Sequence, residues 1–302
     1  MEPVTSPAVL IEAFSSGAGT GNGAAVVRLR VPLASATLQT LAATLRQSET
    51  AFVLWWQGAW FLRWFSPSCE VDLCGHATLA SALALAHWGE VDHDGGVVFH
   101  TRSGRLESRL DPCRPSGASI LLPGSGLTRG VIRPELQALL HSRCGESAVD
   151  YWTSALGYHV ALLPRGSNLA GLTDLAPHLH GPESQGLVVM AAVDHSAAEG
   201  PWLNGARADY QLRFFAPALG IPEDPVTGSA HALVASYWFE QTGRDEVVGW
   251  QPSTSPGGMR CRRSCSGMIQ LLGTGHLLWD GTLHFEPGDT DPGSWEGLLT
   301  PG

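Results

Sequence analysis

Arg63-Trp64-Phe65-Ser66-Pro67 recurs 150 positions later as Arg213-Phe214-Phe215-Ala216-Pro217, and the fold is read outward from this pair. Each copy leads within a few residues to an aspartate, Asp72 or Asp224. A glycine-led segment follows, Gly75-His76-Ala77 in the first half and Gly228-Ser229-Ala230 in the second, now 153 positions apart through a three-residue insertion. Both copies run on into apolar stretches, Thr78 to Trp88 and His231 to Phe239, which lack internal Gly and Pro and predict a buried helix each. Around them, Val9 to Phe14, Ala24 to Leu29, Ala51 to Trp56, Ala59 to Phe65, Leu187 to Val193, Ala208 to Phe215, Met268 to Leu272 and Thr282 to Phe285 read as strands. Ala34 to Gln47 and Arg133 to His141 read as surface helices. The expected architecture is α+β, strands wrapped around one apolar helix, made twice. A turn-rich linker at Pro123-Gly124-Ser125-Gly126 divides the halves, 1–126 and 127–302, with the last strands free to return to the first half.

Composition removes whole classes of function. All 18 positive side chains are arginine, so no lysine can form a Schiff base or complete a phosphate-binding P-loop. A formal charge of −10 argues against nucleic-acid binding, which relies on basic side chains neutralising phosphates. The densest basic run, Arg260-Cys261-Arg262-Arg263, is read as an exposed loop. Neither a signal segment nor a membrane span is read from the sequence, and six dispersed cysteines suit reduced thiols, so a cytoplasmic location is expected. Gly19-Thr20-Gly21-Asn22-Gly23-Ala24 imitates a dinucleotide fingerprint, but the residues after it read as a strand where that motif requires a helix.

The two glycines carry the chemistry. A helix N-terminus offers unpaired N–H groups and a partial positive charge, so Gly75-His76 and Gly228-Ser229 are candidate anion-binding ends suited to a substrate carboxylate. His76 adds a group that titrates near neutrality. Asp224, held extended by Pro225, can orient an amine or accept a proton. Cys74 is read either as a thiolate with a lowered pKa at the helix end or as a small buried apolar residue. Glu49, enclosed at the start of an apolar strand, is expected to have a raised pKa suited to proton transfer at neutral pH.

At these residues the sequence resembles the PhzF-like family, the phenazine-biosynthesis isomerase relatives of diaminopimelate epimerase. The resemblance runs from Glu12-Ala13-Phe14 and Gly21-Asn22-Gly23-Ala24 through Ser48-Glu49-Thr50, Glu70-Val71-Asp72-Leu73-Cys74-Gly75-His76 and Glu223-Asp224-Pro225-Val226-Thr227-Gly228-Ser229. It implies two pseudo-symmetric diaminopimelate-epimerase-like domains, each a β-barrel-like sheet around a central helix, an active site in the cleft between them, a homodimer and no cofactor; no metal is expected either, since the spacing of Cys261, Cys265 and His276 fits no common zinc pattern. It also implies Glu49 as the acid/base residue, His76, Asp224 and Ser229 around it, Gly75 and Gly228 as backbone donors to a carboxylate, and Asn22 lining the site. Glu12 and Gly23 depart from the family pattern and imply a looser turn around Asn22.

The epimerase relatives use one cysteine at each helix end; here the second end, Pro225-Val226-Thr227-Gly228, has none, which excludes a two-thiol racemase. One-sided shuttling by Glu49, or a mixed pair of Cys74 with Asp224 or Glu49, remains. The function expected is an isomerase or epimerase moving a proton on a small carboxylate; acid-promoted cyclisation or rearrangement, or a silent ligand-binding module, are the alternatives.

Overall fold

The structure, a computed structural model, describes residues 4–92, 95–172, 174–196, 200–286 and 288–299. In chain order its elements are β1 (Val4–Ala13), β2 (Asn22–Leu29), α1 (Ser35–Leu45), β3 (Glu49–Trp56), β4 (Ala59–Phe65), β5 (Glu70–Val71), α2 (Gly75–His87), β6 (Gly96–Thr101), β7 (Gly104–Asp111) and β8 (Arg114–Pro123). There follow β9 (Leu127–Arg129), α3 (Pro134–Cys144), β10 (Asp150–Ser154), β11 (His159–Leu162), β12 (Leu187–Ala192), β13 (Trp202–Leu203), β14 (Ala206–Arg207), β15 (Tyr210–Ala216) and β16 (Ile221–Asp224). The chain ends with α4 (Gly228–Thr242), β17 (Glu246–Gln251), β18 (Gly257–Arg263), β19 (Met268–Phe285) and α5 (Pro292–Glu296). Two compact units result: Met1–Leu121 with Leu272–Gly302, and Leu122–Leu271.

The first unit is a closed barrel. Pairings run β1–β2, β2–β3, β3–β4, β4–β6, β6–β7, β7–β8, β8–β19 and β19–β1, so no edge is left open. Helix α2 threads it. Alanine and leucine occupy every face of this helix and all residues from His76 to Ala86 are buried, as a helix without a polar stripe requires. Each enclosed leucine, such as Leu79 and Leu85, contributes about 2 kcal/mol of transfer free energy. Strand β3 is buried along Glu49–Leu54 because α2 packs on one face and α1 on the other, whereas β7 alternates buried Leu106, Ser108 and Leu110 with exposed Arg105, Glu107 and Arg109.

The second unit repeats the connectivity. Its β10–β11 and β12–β15 pairs are antiparallel while β11–β12 and β15–β17 are parallel, matching β1–β2, β3–β4, β2–β3 and β4–β6 in turn. Helix α4 takes the part of α2, packed on β15, β17 and β18. The recurring arginines make the same interaction: Arg63 grips Glu70 through Nε and Nη2 at 2.7 Å each, and Arg213 grips Glu223 through the same atoms at 2.7 Å each. Each guanidinium also lies over the phenylalanine two residues on, 5.3 Å from the Phe65 ring and 5.2 Å from the Phe215 ring. These forks set the alignment. Glu70 matches Glu223, so Asp224 corresponds to Val71 and not to Asp72, and it has no acidic counterpart in the first unit.

Two readings are corrected. Met268 to Leu272 and Thr282 to Phe285 belong to one strand, β19, because the intervening Gly275 and Gly281 sit within a paired ladder with β1 instead of turning the chain. Arg260-Cys261-Arg262-Arg263 lies in β18, not in a loop: Cys261 is buried, and Arg260 and Arg262 both reach Glu246 on the neighbouring strand.

Removing one partner of a buried fork leaves the other charge uncompensated. Arg213→Met is expected to destabilise the protein by about 3–5 kcal/mol in urea unfolding. Arg213→Met with Glu223→Leu should recover most of that loss.

Candidate active site

Three elements begin at one place in the first unit. Parallel strands β2 and β3 start at Asn22 and Glu49, and α2 starts at Gly75 with Cys74 as its extended N-cap. His76, in the first turn of α2, is enclosed by all of them. Its Nε2 lies 3.1 Å from Glu49 Oε2 and 3.2 Å from Ser48 Oγ; its Nδ1 lies 3.2 Å from the Asn22 amide and 3.4 Å from Cys74 Sγ. Glu49, Cys74, His76 and Asn22 are all buried.

Asn22 is held firmly, against the expectation of a looser turn. Gly21 has φ +91°, and a Cβ there would meet Ala13 O at 2.6 Å, so only glycine fits. The Glu12 carboxylate accepts from the Gly19 N–H at 2.9 Å and ties the preceding loop to β1.

The site's charges follow from this packing. Burial pushes the Glu49 carboxyl up, but His76 beside it and hydrogen bonds from Ser48 and Cys74 outweigh burial and hold it below its ordinary value. The expectation of a raised Glu49 pKa is thereby corrected, because a cation replaces the lost water. Burial likewise pushes the His76 imidazolium down, yet Cys74 and Glu49 outweigh it and the pKa is raised well above the usual range. Burial pushes the Cys74 thiol up to about 11, so it stays protonated at neutral pH and the thiolate reading is corrected: enclosure overrides the helix end. With Cys74 neutral, the charge facing the imidazolium is that of Glu49.

Asn22 serves both states of the histidine. With its Nδ2 toward Nδ1, as placed, it suits a neutral ring. With the amide turned over, its oxygen accepts from an imidazolium while Ser48 keeps its bond to the Gly23 carbonyl at 2.9 Å.

In the second unit the equivalent helix end is built differently. Thr227 stands at the N-cap of α4 where Cys74 caps α2, so a hydroxyl replaces the thiol. Its Oγ1 donates to Asp224 Oδ2 at 2.6 Å, and its N–H donates to Gln251 Oε1 at 3.0 Å. Gln251 Nε2 in turn donates to the Asp224 carbonyl at 2.5 Å. Gly228 opens the helix, and Ser229 Oγ lies 3.2 Å from Tyr158 OH.

Strand registers identify what faces that end. Thr50 pairs with Phe65 as Leu187 pairs with Phe215, so Gly186 holds the place of Glu49. Ala25 pairs with Thr50 as His159 pairs with Leu187, so Tyr158 holds the place of Ala24. Bulk has been exchanged. Where the first unit sets Ala24 beside a glutamate, the second sets Tyr158 over a glycine, whose added Cβ would meet the ring at 2.6 Å. The acid survives in one unit only. Sequence reasoning missed Ser48, Tyr158 and Gln251; the small residue at 186 just ahead of an apolar strand was the only sign of this exchange.

With this geometry in view, the comparisons decide the family. The phenazine biosynthesis-like protein family, PhzC-PhzF, matches residues 11–260. The chain belongs to this family. A Pseudomonas aeruginosa relative named an uncharacterized isomerase is 33% identical over 285 residues, covering 91% of this chain and 97% of its own. The crystal structure of a PhzF-family protein from Enterococcus faecalis superposes with a TM-score of 0.77 at 27% identity, covering 93% and 99% of the two chains. A hydroxyproline epimerase from Agrobacterium vitis shares the fold, with a TM-score of 0.57 at 10% identity and 98% of each chain covered. The fold is the expected α+β pair of epimerase-like domains, and these relatives support an isomerase role in general terms.

The ion pair makes a pH-dependent contribution with a definite window. The depressed Glu49 stabilises above the ordinary carboxylate value of 4.5 and loses that effect as pH falls; the raised His76 stabilises fully below 6.5 and loses it as pH rises. The stability gap between wild type and His76→Gln in urea is therefore expected to be largest between these two values and to narrow on either side. Gly186→Ala is expected to destabilise by about 1–3 kcal/mol through collision with Tyr158, and Tyr158→Ala should relieve most of that loss in the double variant, both read as thermal midpoints.

Proposed function

We propose that the protein is a cofactor-independent isomerase or epimerase that moves a proton between carbons of a small carboxylate. The observation that carries this is the buried Glu49–His76 pair, 3.1 Å apart, at the free N-terminal turn of α2. An ionised carboxylate is a competent base, and the imidazolium beside it balances its charge.

Glu49 takes the proton from a substrate C–H next to the carboxylate. The electron pair left behind delocalises into that carboxylate, whose developing charge is met by the N–H groups of Gly75 and His76. Glu49, now protonated, returns the proton to a different carbon on the same face of the substrate. His76 steadies the charge of Glu49 between the two transfers, with Asn22 and Ser48 adjusting to its protonation state. Cys74, a neutral thiol, packs and hydrogen bonds beside them. At the second unit's own helix end, the N–H groups of Gly228 and Ser229 are proposed as donors to a carboxylate and Asp224 as an acceptor for an amino or hydroxyl group.

Asymmetry supports a one-sided reaction. Glu49 has Gly186 as its counterpart and Cys74 has Thr227, so neither the acid nor the thiol is matched at its equivalent position in the second unit.

Glu49→Gln is expected to lower solvent-deuterium incorporation into substrate about 10²–10⁴-fold. The assay is mass spectrometry of a panel of small carboxylates in heavy water. Incorporation at the wild-type rate in Glu49→Gln would remove Glu49 from the reaction.

A further inference from the structure

We propose that Glu49, Cys74 and His76 form a binding site for a thiophilic divalent cation, Zn2+ before others, whose occupancy silences the proton transfer. The silencing rests on the function proposed above; the binding does not.

Three buried side chains there present an oxygen, a sulfur and a nitrogen within 4.8 Å of one another. His76 Nε2 lies 3.1 Å from Glu49 Oε2 and 3.8 Å from Cys74 Sγ. Metal–ligand bonds of about 2.0–2.3 Å at tetrahedral angles place neighbouring ligands roughly 3.3–3.7 Å apart, so both edges are close to those of a zinc tetrahedron. The third edge, from the Glu49 oxygen to Cys74 Sγ, lies within 4.8 Å, so side-chain rotation has to close the cluster onto the ion.

The surroundings suit such an ion. A metal-bound imidazole donates its other N–H to a polar acceptor, and the Asn22 amide, 3.2 Å from Nδ1 through its nitrogen, supplies that acceptor when turned over to present its oxygen. Three protein ligands leave a fourth position open, which water or a carboxylate can take. A thiolate and an imidazole select zinc or cobalt over magnesium and calcium, which prefer all-oxygen sites. The cation replaces the protons on Cys74 and His76 and occupies the lone pair of Glu49 that would accept the substrate's proton.

The test uses the full chain, freed of metal by a chelator and titrated with Co2+ and then Zn2+. One equivalent of Co2+ is expected to produce a near-ultraviolet thiolate-to-metal band with tetrahedral visible bands, displaced by Zn2+ and untouched by Mg2+. Cys74→Ser, checked for folding by circular dichroism, should lose the ultraviolet band and bind Zn2+ at least about tenfold more weakly by calorimetry. Exposed Cys69, Cys113 and Cys265 remain in that variant, so a band that persists overturns the proposal. Glu49→Gln provides a second route if Cys74→Ser does not fold: it should keep the thiolate band at about tenfold lower affinity, and unchanged affinity overturns the proposal. Because binding is read by spectroscopy and heat, it stands or falls separately from turnover; Zn2+ binding at this site with deuterium exchange undiminished would overturn the silencing.

Discussion

A helix that is apolar all round has to be enclosed on every side, and the structure depends on that requirement. Enclosing α2 in a barrel buries its side chains from His76 to Ala86, and the amides of its first turn, without intrahelical partners, must be met by something else. Parallel β2 and β3 begin at that same end, so whatever residues open them are gathered around the helix start. Asn22, the Ser48–Glu49 pair and the Cys74–His76 pair come from three separate stretches of sequence and meet for this reason. The cluster is a property of the barrel's end, and its polar character is tolerable because each group finds a partner in another.

Burial at that end alters the chemistry its residue types suggest. A carboxyl alone in an apolar pocket becomes a weak acid, and a thiol at a helix N-terminus becomes a strong one. In this enclosure both outcomes reverse: His76 and the hydrogen bonds from Ser48 and Cys74 hold Glu49 ionised against burial, and burial, with the Glu49 charge added to it, holds Cys74 neutral. The pair is neutral as a whole and therefore bears enclosure that neither charge would bear singly.

The two-fold plan was legible because Arg63 and Arg213 head matching segments that end in glycine-led apolar helices, a pattern visible without any contact information. The strands containing Trp64 and Phe214, and the helices beginning at Gly75 and Gly228, followed from it. Less legible were β7, β17 and β18, whose burial is shaped by the helix packed on them, and the single course of β19 through its glycines. In the site, residue identities could be read but not their mutual charges, which are set by three-dimensional neighbours. Tyr158 was invisible for a related reason: its meaning lies in the vacancy at Gly186, and a vacancy is seen only when the strands are in register. The Arg–Glu forks corrected the alignment by one residue and showed Asp224 to be peculiar to the second unit.

The barrel around α2 is completed by β19, a strand supplied from the far end of the chain. During synthesis the first seven strands of that barrel emerge long before their eighth, leaving the edges of β1 and β8 unpaired while the second unit is made in between. The second unit needs little from outside its own sequence span, so the earlier half of the polypeptide is the later half to mature. The open rim during that interval is the chain's period of greatest exposure to edge-to-edge association, and it ends when the C-terminal strand is released to close it.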